Sequence, residues 1–356
     1  MKILHSADLH LDAPFAGRTA AQTGQLKAAL LKVPGLLAQL CRQEQCDLVL
    51  LAGDLFDGLW SRESFRALYA ALEEMAVPVF ISPGNHDFLN YESPYFSEKW
   101  PENVHIFTRP EMESVYLPEL DCRVYGAGYR SMDCDALLEG FRVEGQERYQ
   151  IAVLHGDPTQ TNSPYCPITS AQLRKSGLQY LALGHIHKSG QLKAGQTLCA
   201  WPGCPMGRGF DELDTKGALI VTVEDSVSAT FVPLDTPRFF DIETHPGIDA
   251  HGALAAVLPA MGDNNYYRVT FTGEASAPDL EALQADFAQF PNLELRDHTV
   301  PERDIWGGAN EDTLEGVYFR ILKEKLEGAS EEEREVLTLA ARISRQVLDG
   351  QEVILP

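Results

Sequence analysis

Three things are scarce in this chain of 356 residues: basic charge, paired cysteines and long apolar runs. Lys and Arg number 29 against 52 Asp and Glu, a net charge of −23. Phosphate neutralisation by Lys and Arg supplies most non-specific affinity for nucleic acid, so this balance excludes a protein that grips DNA or RNA through a broad basic face. The seven cysteines are odd in number, scattered and without a C-x-x-C pair. That argues for reduced thiols and against a disulfide framework or a zinc ribbon. No stretch approaches the roughly 18 apolar residues of a membrane span. The strand-like "MKILHSADLH" starting at Met1 leaves no room ahead of it for a signal peptide. The expectation is a cytoplasmic protein without membrane contact. A hydrophobic content of 44% is that of an ordinary folded domain, so a sizeable core is expected.

From Met1 to about Asp235 the chain repeats one pattern, an apolar run that ends in polar residues. It occurs in "DLVLLAGD", "VPVFISPGNHD", "YQIAVLHGD" and "LQYLALGHIH". Short continuous apolar runs read as buried strands, and helix-like segments at Leu26 to Cys46 and Ser61 to Met75 lie between them, so the expectation is a layered α/β domain. The pattern breaks at "PLDTPRFFDIETHPG", which places a boundary near Thr236. Three regions follow: a main domain over 1–235, a small α+β module over 236–306 and a helical segment over 307–356. In the module, "NYYRVTFTG" alternates like a strand. Asp279 can cap a helix carrying Leu280, Leu283, Phe287 and Phe290, and "NLELRDHTV" returns as a strand. Beyond it, Leu314, Val317, Tyr318 and Ile321 form one helical stripe. Ser330 and Glu333 make a capping box ahead of a second stripe, Val336, Ala340, Ile343 and Val347. These stripes read first as packed core and second as a partner surface, and they run on into the apolar "EVILP". From Thr236 onward 10 basic residues face 23 acidic ones, so this region is a poor unaided DNA-binding surface.

Five places within the first 190 residues put oxygen or imidazole donors at the expected carboxyl ends of strands. They are Asp8 and His10 in "ADLH", Asp54 in "LAGDLFD", Asn85 and His86 in "PGNHD", His155 in "LHGD", and His185 with His187 in "GHIH". Loops leaving adjacent parallel strands converge at that edge, which is where sites form in α/β sheets. Residues two apart in an extended segment project to one side, so each D-x-H or H-x-H pair can reach one metal region. Gly53, Gly84, Gly156 and Gly184 beside these donors allow tight turns. Two aspartates, one asparagine and four histidines are enough for two cations that share a carboxylate. The mixed oxygen and nitrogen set, free of cysteine, suits Mn, Fe or Zn better than Mg or Ca. Two such cations about 4 Å apart stabilise both the attacking and the leaving oxygen of an in-line displacement at phosphorus.

In their order, "DLH", "GDLFD", "GNHD", "HGD" and "GHIH" resemble the five signature segments of the calcineurin-like metallophosphoesterases. "KILHSADLHLD" and "WPGCPMGRGFDE" ahead of "KGALIVTV" are further similar to the SbcD-type branch, the DNA double-strand-break-repair exonucleases. The resemblance implies a metallophosphoesterase β-sandwich flanked by helices, with a small α+β capping module and terminal helices. It implies that Asp8, His10, Asp54 and His187 hold one metal, and Asp54, Asn85, His155 and His185 the other, with Asp54 as bridge. Mn is the first expectation for both, with Fe or Zn as alternatives. It also implies that His86 is no ligand but faces the scissile phosphate, oriented by Asp57 or Asp87. In related phosphoprotein phosphatases the second segment reads on into an arginine, whereas here Gly58 and Leu59 follow Asp57, which weighs against that activity. Some break-repair nucleases carry a histidine where this chain has Asp57.

His5, His105, His245, His251 and His298 read as ordinary core or surface residues, and Cys41 and Cys46 as inert thiols. Arg208 in "GCPMGRGF" reads equally as a phosphate contact or a structural donor. The functional expectation is a two-metal phosphodiesterase, a DNA exonuclease or endonuclease subunit of the SbcD type acting in DNA repair. Its isolated chain would bind DNA weakly and work with a coiled-coil ATPase partner; pairing into a homodimer is left open. The alternative is a phosphoesterase acting on nucleotides or other small phosphate esters. A regulatory subunit with a vestigial site is disfavoured, because every expected ligand is present.

Overall fold

In the computed structural model, which describes residues 1–301 and 304–350, the apolar runs become the central strands of two six-stranded sheets. The first sheet has the order β12-β11-β1-β2-β3-β4. Its parallel part is β1 (Lys2–Ser6), β2 (Leu48–Leu51), β3 (Val79–Ile81) and β4 (Val104–Ile106), and β11 (Gly217–Val223) and β12 (Val227–Pro233) add antiparallel strands at one edge. The second has the order β5-β6-β7-β8-β10-β9. Here β6 (Cys122–Gly126), β7 (Tyr149–His155), β8 (Tyr180–Gly184) and β10 (Thr197–Trp201) run parallel, flanked by antiparallel β5 (Glu113–Leu117) and β9 (Gly190–Ala194).

Side-chain alternation explains why these strands are apolar throughout. In β2, Leu48 and Leu50 join Ile3, Phe80, Ile151, Val153, Tyr180 and Ala182 in a core between the two sheets. Val49 and Leu51 point the other way, into a core that includes Leu26 of α1 (Ala20–Leu30), Leu37 of α2 (Val33–Gln43) and Leu68 and Leu72 of α3 (Arg62–Met75). Leu181 and Leu183 of β8 likewise face outward, against Leu173 of α5 (Ser170–Ser176). A strand covered on both faces must be apolar at every position. Each fully buried leucine contributes on the order of 1.5–3 kcal/mol.

The expected helix over Leu26 to Cys46 is two helices. Pro34 is the cause: it has no amide hydrogen, and its ring excludes the carbonyl four residues back, so it is accommodated only in the first turn of α2. Ser61 caps α3, accepting from Ser64 N at 3.1 Å, as the segment's start suggested. A one-turn helix, α4 (Pro94–Ser97), follows the GNHD loop.

The chain forms two compact units. One holds Met1–Ile242, Met261–Arg268 and Phe287–Glu294; the other holds Glu243–Ala260, Val269–Asp286 and the described residues from Leu295 onward. The first therefore runs past Asp235. Thr236 is buried, its hydroxyl donates to Pro205 O at 3.3 Å, and Phe239 stacks on Tyr266 at 4.7 Å. A three-stranded sheet has the order β13 (Phe239–Thr244), β14 (Tyr266–Glu274), β15 (Leu293–Val300). Tyr267 N donates to Asn292 O and Ala275 N to Val300 O, so β14 and β15 run parallel on either side of α7 (Leu280–Asp286). The remaining helices are α6 (Ala250–Val257), α8 (Leu314–Leu326) and α9 (Glu331–Leu348), and Glu333 completes the expected capping box with Ser330.

The α8 stripe faces outward rather than into a core: Leu314 is 90%, Tyr318 40% and Ile321 47% exposed. Phe319, on another face, is the side chain that buries, with Ala341 beside it and the Arg345 guanidinium over its ring at 4.1 Å. Leu314 and Tyr318 instead line an apolar groove of about 620 Å³ with Ile343, Val347 and Leu348. "EVILP" lies outside the described residues. No described helix is long and apolar enough to cross a membrane.

His5 shows how strongly the inter-sheet core restricts charge. It is fully buried, and because Leu183 O can only accept, its Nε2–H donates there at 3.1 Å and Nδ1 accepts from the Tyr180 hydroxyl at 2.7 Å. Burial pushes its pKa down to about 3, against a small opposing effect of the Leu183 carbonyl. The unfolded chain takes up this proton near pH 6.5, so between those values it binds more protons than the folded chain. The contribution of neutral His5 is present in full above about pH 6.5 and is lost as pH falls toward 3. We predict that the wild type loses about 2 kcal/mol more than His5→Gln between pH 7.5 and 5. Urea midpoints across that range measure this, and parallel curves would refute it.

Candidate metal centre

The donors sit where β1, β2 and β3 of one sheet and β7 and β8 of the other end. Four of them, Asp8 (φ 53°), His10 (46°), Asp54 (51°) and His185 (96°), adopt the left-handed region that non-glycine residues rarely enter. Each such residue costs on the order of 1–3 kcal/mol and persists only where its surroundings over-determine it. Here they do. Asp8 N donates to Gly53 O at 3.0 Å, His10 N to Asp54 O at 2.9 Å and Leu11 N to Leu55 O at 2.9 Å, which ties the loops after β1 and β2 together beyond the last strand residues.

The turns thus fall mainly on the donors themselves. Among the four glycines beside them only Gly53 has a positive φ (85°). The others are needed for space. A Cβ at Gly84 would run into the Asp54 carboxylate and lie 2.9 Å from His155 Nδ1, and one at Gly184 would collide with the Ala52 carbonyl.

All seven expected ligands converge. Donor atoms of Asp8, His10 and His187 lie within 4.8 Å of one another, as do those of Asp8, Asp54 and His155. Asn85 Oδ1 is 2.9 Å from His155 Nε2 and 3.2 Å from His185 Nδ1. Asp54 Oδ2 lies between the groups, 3.4 Å from His155 Nε2 and 3.8 Å from His10 Nε2. His185 and His187 therefore turn to different neighbours, His185 to Asn85 and His187 to His10, whose Nε2 is 3.1 Å from its own.

Hydrogen bonds on the far side of the rings define what these nitrogens offer. Asp57 Oδ1 accepts from His10 Nδ1 at 3.1 Å, Glu212 Oε1 from His187 Nδ1 at 2.7 Å, and Ala52 O from His155 Nδ1 at 2.8 Å. In the neutral rings the Nε2 lone pair is then aimed inward, at another lone pair or at a carboxylate. Such a set of facing acceptors is repulsive unless a cation or extra proton lies among them, so it fits divalent metal. The ionisation pattern agrees. Burial opposes charge on His155, yet Asp54 and Asp8 outweigh it and raise its pKa to about 9. His185 is lowered to about 4 by burial and by the neighbouring His155 charge, which keeps its ring neutral and able to ligate. Asp54 stays well below the carboxylate range despite burial, because His155, His10 and His86 surround it.

The two candidate orienting residues part company. Asp57 Oδ1 lies 3.1 Å from His86 Nδ1 as well as serving His10, and these two bonds hold its carboxyl far below its usual range. The hydrogen bond to Asp57 in turn raises the pKa of His86, whose ring is partly exposed. Asp87 faces away from the His86 ring. Its Oδ1 accepts from Gly84 N at 2.8 Å, and its Oδ2 from Leu55 N at 2.7 Å and the Tyr95 hydroxyl at 2.5 Å. It therefore clamps the loops after β2 and β3 and does not orient the imidazole. Its carboxylate is consumed by buried amides that would otherwise lack acceptors.

Glu212 is the residue the motifs did not disclose. Buried, it accepts from His187 Nδ1, from Arg208 Nη2 at 3.0 Å and from Arg208 N at 2.8 Å, and these bonds keep it ionised against burial. Arg208 is thus a structural donor to Glu212 whose other guanidinium nitrogen, Nη1, lies 4.0 Å from Asp57 at the site's edge. Phe210 fixes this loop between the guanidinium groups of Arg18 (4.8 Å) and Arg268 (3.9 Å). The acidic residue four positions after an arginine in "RGFDE" was the available signal. We predict that Glu212→Ala lowers affinity for Mn or Zn about 10–100-fold in titration calorimetry. Unchanged affinity would mean that His187 needs no orienting carboxylate.

Comparisons with known proteins agree with this geometry. The uncharacterized metallophosphoesterase YhaO of Bacillus subtilis (strain 168) is 34% identical over 239 residues, 63% of this chain and 57% of YhaO, so the match spans little more than half of that protein. The SbcD component of the SbcCD nuclease is 24% identical in two species. In Staphylococcus epidermidis (strain ATCC 12228 / FDA PCI 1200) the match covers 78% of this chain and 81% of that component; in Bacillus subtilis it covers 65% and 68%. A sequence model of the calcineurin-like phosphoesterases matches residues 1–189, just over half of the chain. With that span and this clustering of donors, the chain belongs to the calcineurin-like phosphoesterases and is a metal-dependent hydrolase of phosphoric esters.

Proposed function

We propose that the enzyme is a two-metal phosphodiesterase acting on DNA, the counterpart of the SbcD component of an SbcCD nuclease. Asp8, His10, Asp54 and His187 would hold one cation and Asp54, Asn85, His155 and His185 the other, with Mn first and Fe or Zn next. The observation that carries this reading is the place of Asp54 Oδ2 between the two donor groups. The cations, when bound, stabilise charge on the attacking and departing oxygens of the phosphate. His86 does the proton work: Asp57 holds Nδ1, which leaves Nε2 of the partly exposed ring as the nitrogen to protonate a departing oxygen. The Arg208 guanidinium, anchored by Glu212, adds fixed positive charge beside Asp57.

DNA as substrate rests on the likeness to the SbcD proteins over most of the chain. The net charge of −23 then requires grip from elsewhere. A coiled-coil ATPase partner would supply it, and the outward apolar stripe of α8 offers that partner a helix-binding face. The same acidity favours the second reading, a small phosphate ester as substrate.

Assays with Mn on linear DNA, hairpin DNA and small phosphate mono- and diesters decide between them. We expect DNA cleavage that chelation abolishes, and loss of activity with metal binding in Asp54→Asn. In His86→Ala we expect retained metal and a kcat lower by about 10²–10⁴. Turnover of small monoesters without DNA cleavage would establish the second reading, and full activity in both variants would refute the site.

A further inference from the structure

The seven cysteines, all free, include two pairs joined by a backbone hydrogen bond, Cys46 N to Cys41 O at 3.0 Å and Cys166 N to Cys134 O, and in each pair the thiols shift one another's ionisation. The first pair is sealed in the helix-side core, both members buried. The second differs in three ways. Cys134 is partly exposed, so a small oxidant can reach it, whereas Cys166 is fully buried behind it. The two lie on separate segments tied through the backbone, with Cys166 N donating to Cys134 O at 2.7 Å and Cys134 N to Pro164 O at 2.8 Å. These two bonds pair Cys134 with Tyr165, the residue before Cys166, so the two cysteines are diagonal neighbours across a parallel bridge; a disulfide needs α-carbons about 4.4–6.8 Å apart. And the segment carrying Cys166 lies directly against the candidate metal centre.

That last connection is specific. Tyr165 lays its ring against His185 at 4.6 Å. Asp157 N, two residues after His155, donates to Tyr165 O at 2.9 Å and Cys166 O at 3.2 Å. A Cβ on Gly156 would lie 2.7 Å from Cys166 O, so the His155 loop and the Cys166 segment are packed without spare room. Cys166 itself has a φ of 43°, a strained conformation held by its bond to Cys134 O and by the bond from Asp157 N to its carbonyl. Closing the sulfurs to a bond must shift Cys166, and Tyr165 and the His155 loop shift with it.

We propose that Cys134 and Cys166 form a reversible redox site that takes hydrogen peroxide as its oxidant and, as a disulfide, weakens metal binding at His155 and His185. The Cys134 thiolate attacks the peroxide, the O–O bond breaks, and hydroxide leaves with a proton as water. The Cys166 sulfur then attacks the resulting sulfenic acid, forming the S–S bond as the S–O bond breaks and a second water departs. Two thiols lose two electrons and two protons, and the peroxide becomes two waters. The Cys166 thiol lowers the Cys134 thiol pKa, which suits Cys134 to the attacking role.

The regulatory half of this inference rests on the seven-donor cluster being the metal centre, whereas the disulfide does not. Full-length protein treated with hydrogen peroxide is expected to lose two of its seven thiols and to yield one peptide cross-linked between 134 and 166, reversed by dithiothreitol. Cys134→Ser and, separately, Cys166→Ala should each remove that cross-link. Absence of it in the wild type, or a cross-link at Cys41–Cys46 instead, would overturn the redox site. Oxidised wild type should bind Mn at least tenfold more weakly in calorimetry than reduced, while peroxide leaves the Mn affinity of Cys134→Ser unchanged. A disulfide with unaltered Mn affinity would overturn the regulation. If neither form binds Mn, the metal assignment has failed, the regulation falls with it, and the disulfide stands on the thiol count.

Discussion

A carboxylate buried to 1% exposure has to be neutralised, and the arrangement around Asp54 follows from that requirement. Its Oδ1 accepts from His86 N at 2.8 Å, and its Oδ2 faces the imidazoles of His10 and His155. Those partners come from both sheets, so the sandwich has to bring the ends of β1, β2, β3 and β7 to one place. An unpaired carboxylate there would cost several kcal/mol. The same charge that would destabilise an empty core makes the position a strong cation site.

Support spreads outward from that point in layers of charge-assisted hydrogen bonds. Asp57 serves His10 and His86 together, Glu212 holds His187, and Asp87 holds the backbone of the loops that carry Asp54 and Asn85. Three carboxylates therefore act on the site without belonging to the donor set. Each is kept ionised by a hydrogen-bonding partner or placed in contact with amides, so geometry at the donors is set by groups buried behind them. The strained φ values of Asp8, His10, Asp54 and His185 are what these restraints maintain.

In the second unit the packing is thinner. Phe319, Ala341, Ile305 and Ala309 make a small core, while Leu314, Tyr318 and Ile321 lie outside it. Helical periodicity identifies an amphipathic face but is silent on whether that face meets the chain's own core or something else. Here an aromatic on another face of α8, Phe319, took the interior beneath the Arg345 guanidinium.

Much was legible from the residues alone. Uniformly apolar runs identified strands covered on both faces, since alternation sends their side chains into two different cores, and polar residues after each run marked the edge where the donors gather. The donor set, its order and the acidic balance are properties of composition and spacing. Tertiary structure decided the rest, for physical reasons that spacing does not contain. Pro34 divided a helix because its ring cannot follow a helical carbonyl. Asp57 rather than Asp87 reached His86, because the Asp87 carboxylate was taken by amides 31 or 32 residues away in sequence. Glu212 met His187 across 25 residues, and Tyr165 met His185 across 20, through folding that brings loops from separate strands together. Local sequence determined which residues can bind a metal, and long-range packing determined which groups orient, strain and shield them.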